Sequence, residues 1–355
     1  LTLDGQSKAG TLLDGTGLAG AGSGIALDPG ITNVTIKDLT VRDFTGTNAN
    51  STAGVYAASG NNNLTVQNVD IADNPLCSGF YANGPVDMIL LDDVKSHGHV
   101  NGARGVVIWN GLKSNITIQN CEVYGNNCCG IELQDGTASG VTMSNNNVHD
   151  NWDNGMSAVG LNAGVGANTI SGNTVTNNGR FGIEIKNPDG NGSNITLSGN
   201  IVSLTGSFVA ARPTEERDLA GIAVFRRAFN LAYGNVDIPT GVSVTGNTVT
   251  GYLQDNGAST SEGFGIVVEG TNHTVTGNTV SGCDVGIQQQ AGHLPYVANT
   301  STDGDQSDLA DQYFGRGNAP QTGADDGPGD DHRHAADVAG SGRGRGTERS
   351  AGPGR

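Results

Sequence analysis

Asn168-Thr169-Ile170-Ser171-Gly172-Asn173, followed nine residues on by Gly182-Ile183-Glu184-Ile185-Lys186, is one turn of a repeat. The phrase returns as Asn194-Ile195-Thr196-Leu197-Ser198-Gly199-Asn200 and appears earlier as Asn115-Ile116-Thr117-Ile118-Gln119-Asn120, with a period close to 27 residues. Self-similarity at such a period marks a solenoid, because one unit cannot bury its own apolar face and a stack of units can. A column of Asp or Asn can be followed through Asp38, Asn68, Asp93, Asn120, Asn146, Asn173, Asn200, Asn247 and Asn278, with steps of 25 to 31 residues and a single step of 47. Identical amides in register hydrogen-bond from rung to rung, which is the role this column is assigned.

A second column sets the register: Gly24-Ile25, Gly54-Val55, Gly79-Phe80, Gly105-Val106, Gly130-Ile131, Gly155-Met156, Gly182-Ile183, Gly221-Ile222, Gly265-Ile266 and Gly286-Ile287. Alternation after each glycine points the first and third residues inward and the second and fourth outward. The composition agrees: 57 glycines, 15% charged residues and 5% aromatics suit short strands and tight turns. The expected fold is all-β, a single-stranded right-handed parallel β-helix of about ten rungs over residues 1–318. Beyond 319 every column is lost, and Gly-Pro-Gly-Asp-Asp and Gly-Arg-Gly-Arg-Gly predict a disordered tail over 319–355. The chain opens inside a first rung with no amphipathic cap, so a missing N-terminal cap is expected.

A net charge of −17 leaves no basic stripe for nucleic acid, and no apolar run approaches the roughly 20 residues of a membrane span. A monomer is expected. Cys77, Cys121, Cys128, Cys129 and Cys283 form no even framework and no zinc spacing, and are taken as small core or turn residues, with no metal assigned.

These columns resemble the right-handed β-helix family shared by pectate-lyase-like and alginate-epimerase-like carbohydrate-processing proteins, over roughly residues 1 to 300. The resemblance implies a secreted or cell-surface protein with a polysaccharide partner. Its catalytic signatures are not matched: Asp73-Asn74-Pro75-Leu76 lacks the His of the epimerase-like cluster, and the polygalacturonase-like series does not occur. No motif specifies a cofactor; a uronate handled through a bound cation would call for calcium.

Chemistry is sought on the outward residues of the glycine-initiated strands. One column runs Ala26, Tyr56, Tyr81, Val107, Glu132, Ser157, Glu184, Ala223, Val267 and Gln288, and the other Asp28, Ala58, Asn83, Trp109, Gln134, Val159, Lys186, Phe225, Glu269 and Gln290. Tyr56, Tyr81 and Trp109 are expected to offer flat rings to sugar faces, with Gln134, Arg180, Phe225 and Arg227 as further binding residues. Long insertions flank Gly221 and bring charges: Arg212, Glu215, Glu216, Arg217 and Asp218 before the strand, Arg226 and Arg227 after it. Lys186 and Arg226 are the candidates for removing the C5 proton of a uronate in a lyase or epimerase-like reaction. Glu132 and Glu184, two rungs or about 9.6 Å apart, are the candidate pair for inverting glycoside hydrolysis. A third reading is a non-catalytic glycan-binding or adhesion β-helix, in which the charges form a solvated face. His97, His99 and His149 are taken as turn residues.

Overall fold

Strand alternation requires each inward residue of one rung to lie against its counterpart in the next. In a computed structural model of the chain this is what the strands do. The structure describes residues 1–18, 22–49, 51–161, 166–186, 194–205, 219–225, 239–253, 263–289 and 300–301. The expected tail over 319–355, Gln290, and the insertions with Arg212, Glu215, Glu216, Arg217, Asp218, Arg226 and Arg227 lie outside these residues.

Ten strands stack as one sheet: Ile25–Leu27, Ala53–Ala57, Ser78–Asn83, Val106–Trp109, Ile131–Gln134, Met156–Val159, Phe181–Lys186, Leu219–Phe225, Gly263–Val268 and Val285–Gln289. Their partners are those of the glycine column, for example Ile131 with Val106 on one side and Met156 on the other. The remaining strands form a second sheet that bends once per rung. Every described pairing is parallel, and parallel strands joined by crossovers wind right-handed. The core between the sheets is aliphatic, with Ile, Val and Leu of successive rungs in contact. The column needs glycine because rung and turn meet closely: a Cβ on Gly130 would stand 2.5 Å from Val148 Cγ1 and 2.7 Å from the Gly155 carbonyl oxygen. Cys77, Cys121, Cys128, Cys129 and Cys283 are all buried and free.

The amide ladder is real but shorter than expected. Asn146 Nδ2 donates to Asn173 Oδ1, Asn173 Nδ2 to Asn200 Oδ1, Asn200 Nδ2 to Asn247 Oδ1 and Asn247 Nδ2 to Asn278 Oδ1, each at 2.9 Å. Each Oδ1 also accepts the backbone N–H of the preceding rung, as Asn200 does from Asn173 at 3.0 Å. The first four assigned members are one residue out of register. Asn120 pairs with Asn145, and the Cys121 N–H donates to Asn146 Oδ1 at 3.0 Å. Asp38, Asn68, Asp93 and Asn120 instead bend the strand with φ between 52° and 59°, in the left-handed region that Asn and Asp tolerate. The inward position next to them is held by buried Leu39, Val69, Val94 and Cys121, which need no hydrogen-bond partner.

A second ladder, not anticipated, runs along the other bend. Asn126 Nδ2 donates to Asn151 Oδ1 and Asn151 Nδ2 to Asn178 Oδ1, both at 2.9 Å. His99 belongs to this column rather than to a loose turn: its N–H donates to Asn126 Oδ1 at 3.3 Å, and its Nδ1 faces the Asn74 N–H at 3.3 Å. Full burial, reinforced by the neighbouring His97, holds its pKa down at about 3. His97 and His149 end strands, and their rings sandwich Tyr124 with centroid separations of 4.7 and 4.8 Å.

Two outcomes check this frame. Asn173→Leu removes the acceptor of the Asn146 N–H and Nδ2 and the donor to Asn200 Oδ1 and the Met143 carbonyl, and a denaturant melt should lose about 3 kcal/mol, with hydrogen exchange quickened most between Asn146 and Asn200. His99 protonates more readily unfolded than folded, so its contribution is complete above about pH 6.5 and declines as pH falls toward about 3, by about 1.4 kcal/mol per pH unit. His99→Asn, the residue type of its column, should flatten that part of the stability profile, which urea melts across pH will read.

Candidate functional site

The outer face of the ten-stranded sheet carries both expected columns in register: Tyr56, Tyr81, Val107, Glu132, Ser157, Glu184, Ala223, Val267 and Gln288 pair successively. The residue before each glycine adds to the same face, since Phe181, Ala220, Phe264 and Val285 cluster with Ala223 and Val267, and partly buried Phe225 packs on them. Along the strip the chemistry changes from aromatic to charged to apolar.

The aromatic end is not offered to solvent. Tyr81 is 3% exposed and Trp109 7%; with Ala53 and Val107 they form a side cluster on which Tyr56 packs. Rung spacing makes the rings cover one another: Tyr56 and Tyr81 stack with centroids 5.5 Å apart, and Tyr81 and Trp109 lie at 6.4 Å. The Arg104 guanidinium covers the indole at 4.7 Å, and the indole N–H donates to Asp135 Oδ2 at 2.6 Å. The expectation of open sugar-stacking rings is therefore corrected for Tyr81 and Trp109. Gln134 is also buried.

The turn beneath them depends on Lys113, which sequence reasoning passed over. It is fully buried, and its Nζ donates to the carbonyl oxygens of Asn110 at 3.3 Å, Gly111 and Gln134 at 3.1 Å, and Asp135. Desolvation draws its pKa down to about 8, against the pull of Asp135. Only its place beside an Asn-Gly turn hinted at such a role.

The charged centre is built from two pairs. Arg104 Nε binds Glu132 Oε2, both buried. Burial pushes the Glu132 carboxyl up, while Arg104 and, more weakly, Lys186 oppose the rise. Two strands on, Lys186 Nζ lies 3.2 Å from Glu184 Oε1, with side-chain exposures of 3% and 0%. Glu184 Oε2 accepts from Ser157 Oγ at 2.6 Å and from Asn154 Nδ2 at 3.0 Å. Glu132 and Glu184 flank Ser157 on adjoining strands, as the register required. Arg180 lies over the Phe181 ring at 4.7 Å. Arg226 and Arg227 lie outside the described residues.

A model of the family described as right handed beta helix region matches residues 3–166 and 86–252. No curated protein matches the chain. Among solved structures, the Azotobacter vinelandii mannuronan C-5 epimerase AlgE4 A-module is similar with a TM-score of 0.51 at 15% identity, over 84% of this chain and 79% of that one. The AlgE6 A-module from the same organism gives 0.48 at 16%, over 85% and 82%. The periplasmic alginate epimerase AlgG gives 0.47 at 15% over 76% of this chain, which spans 50% of that protein's length. At these identities the likeness is one of fold.

Burial changes what substitutions here should do. As a surface residue, Glu184 would tolerate Gln within about 0.5 kcal/mol. With the carboxylate 3.2 Å from the desolvated Lys186 Nζ removed, Glu184→Gln should instead cost about 3 kcal/mol, and the double variant Glu184→Gln/Lys186→Met should recover most of that loss. Chemical melts of the three variants measure both quantities.

Proposed function

The chain belongs to the right-handed β-helix family, and on that scaffold we propose that it is a secreted or cell-surface enzyme acting on a uronic-acid-containing polysaccharide laid along the outer face of the ten-stranded sheet. The reaction is proton transfer at C5, of the lyase or epimerase kind. The observation that carries this reading is the buried Glu184–Lys186 pair, set among Ser157, Asn154 and the Arg104–Glu132 pair between two apolar stretches of one face. Buried ion pairs rarely repay their desolvation, and apolar side chains already fill the same columns on either side. Groups kept at that cost are where acid and base chemistry is commonly placed.

In this reading Lys186 is the base: as the free amine its Nζ takes the C5 proton, and the Glu184 carboxylate 3.2 Å away stabilises the ammonium that results. Arg180 neutralises the uronate carboxylate so that the carbanion-like state is stabilised. In a lyase the C4–O bond then breaks and the departing oxygen takes a proton; in an epimerase a proton returns to the opposite face of C5. The closed face must open for a glycan to enter, so hydrogen exchange across Phe181–Lys186 is expected to respond to substrate.

A second reading rests on the two carboxyls. Glu132 and Glu184 occupy one column two strands apart, about 9.6 Å at about 4.8 Å per strand, near the upper limit for inverting hydrolysis. Burial raises Glu132 as a general acid requires, while Ser157 and Asn154 hold Glu184 as an acceptor.

Incubation with alginate, pectate and glycosaminoglycans, with and without calcium, separates the readings: unsaturated uronate marks a lyase, exchange of the C5 proton by NMR an epimerase, and new reducing ends of inverted configuration a hydrolase. Lys186→Arg keeps the charge and the pair but cannot give up a proton, so turnover should fall by about 10²–10⁴-fold while the fold is retained. Glycan binding without turnover of any of these polymers would overturn the enzymatic reading in favour of a binding module.

A further inference from the structure

We propose that Cys128, Cys129 and Asp153 form a binding site for a thiophilic divalent cation of the zinc class that clamps two neighbouring rungs, independently of the polysaccharide reading. The ligand atoms of the three buried residues lie within 4.8 Å of one another, and among the described residues this is the group of metal-ligating side chains so arranged. Two sulfurs each about 2.3 Å from one tetrahedral ion stand about 3.8 Å apart. Here Cys128 Sγ and Cys129 Sγ are separated by 3.7 Å. The sulfurs are thus spaced as two donors to one ion.

The backbone holds the donors in place. Asp153 N–H donates to the Cys128 carbonyl at 3.1 Å, Gly105 N–H to that of Cys129 at 3.1 Å, and Gly179 N–H to that of Asp153 at 2.7 Å. Cys128 and Cys129 precede Gly130, and Asp153 stands two residues before Gly155 in the next rung, so a bound ion would join adjacent turns. A disulfide is a poor alternative for this pair. Adjacent Cα atoms lie about 3.8 Å apart across a trans peptide, short of the usual range of about 4.4–6.8 Å.

The electrostatics suit a cation with two thiolates. Two thiolates and a carboxylate bring three negative charges to a divalent ion, and the Arg104 guanidinium, paired with Glu132, also interacts favourably with both cysteines. Loading exchanges two S–H bonds for two sulfur–metal bonds and sends two protons to solvent while both sulfurs remain reduced. Three protein donors complete all but one position of a tetrahedron, which a water or another oxygen donor fills.

The full chain, kept reduced and free of oxygen, is titrated with Co²⁺ alone. One equivalent should produce a thiolate-to-cobalt charge-transfer band that Zn²⁺ then abolishes. The affinity should fall by about a hundredfold per unit decrease in pH, as release of two protons requires. Cys129→Ser should remove the band. Asp153→Asn, which keeps both thiols, should weaken binding by about tenfold or more, since even outer-shell losses cost that much. Cys77→Ser and Cys283→Ser should change neither band nor affinity. A folded chain that gives no thiolate band overturns the proposal, as does a band that survives Cys129→Ser or disappears with Cys77→Ser.

Discussion

The regular rungs of this molecule depend on a buried amide that must find its partner one rung away. Asn146 and Asn173 give their Nδ2 protons to the neighbouring side chain and to a backbone carbonyl, and each takes a backbone N–H on Oδ1. Such a group cannot be half satisfied: left unpaired in the interior it costs more than it contributes when paired. The rungs are therefore held at one spacing and one register. A slip by one residue would turn the aliphatic core outward and strand the amides together.

That spacing then dictates the outer surface. Side chains in one outward column meet their neighbours at strand distance, so aromatic residues stack on one another before any ligand reaches them. Tyr56, Tyr81 and Trp109 do so, and Arg104 closes the row. Charged residues in the same geometry must neutralise one another, and among the described residues Arg104–Glu132 and Glu184–Lys186 do so. The carbonyl cage around Lys113 is a third way of burying a cation, with backbone dipoles in place of a carboxylate.

The glycine column was legible because its cause is local: where a Cβ would strike the turn below, only one residue type fits, and it recurs. The asparagine column was legible where the rungs are uniform and misread where they are not. In Asn145-Asn146-Asn147 three identical residues occupy an outward bend, an inward ladder position and a strand, and sequence spacing alone selects among them poorly. Upstream the inward position is apolar and the visible Asp or Asn belongs to the bend, hence the shift by one at Asn120. The directions of Glu132, Glu184 and Lys186 followed from alternation. Their burial did not, because alternation says which face a residue takes and nothing about what lies over it. The Cys128–Asp153 proximity was hidden for another reason: metal spacings in sequence presume one local loop, whereas a solenoid brings donors together across a full turn.

The two amide ladders do not cover the same rungs. One begins at Asn146 and the other ends at Asn178, so among the described residues they overlap in two turns, those of Asn146 with Asn151 and of Asn173 with Asn178. These two turns lead into the strands Met156–Val159 and Phe181–Lys186, which carry Ser157, Glu184 and Lys186. The rungs pinned at both bends are those that bear the buried Glu184–Lys186 pair. A charged pair excluded from water is only as well placed as the backbone beneath it, since an error of an ångström would leave a desolvated charge without its partner. Doubling the ladder there fixes the backbone beneath the pair at both bends; further along, where the outer column turns to Ala223 and Val267, the described residues continue the ladder of Asn200, Asn247 and Asn278 at one bend.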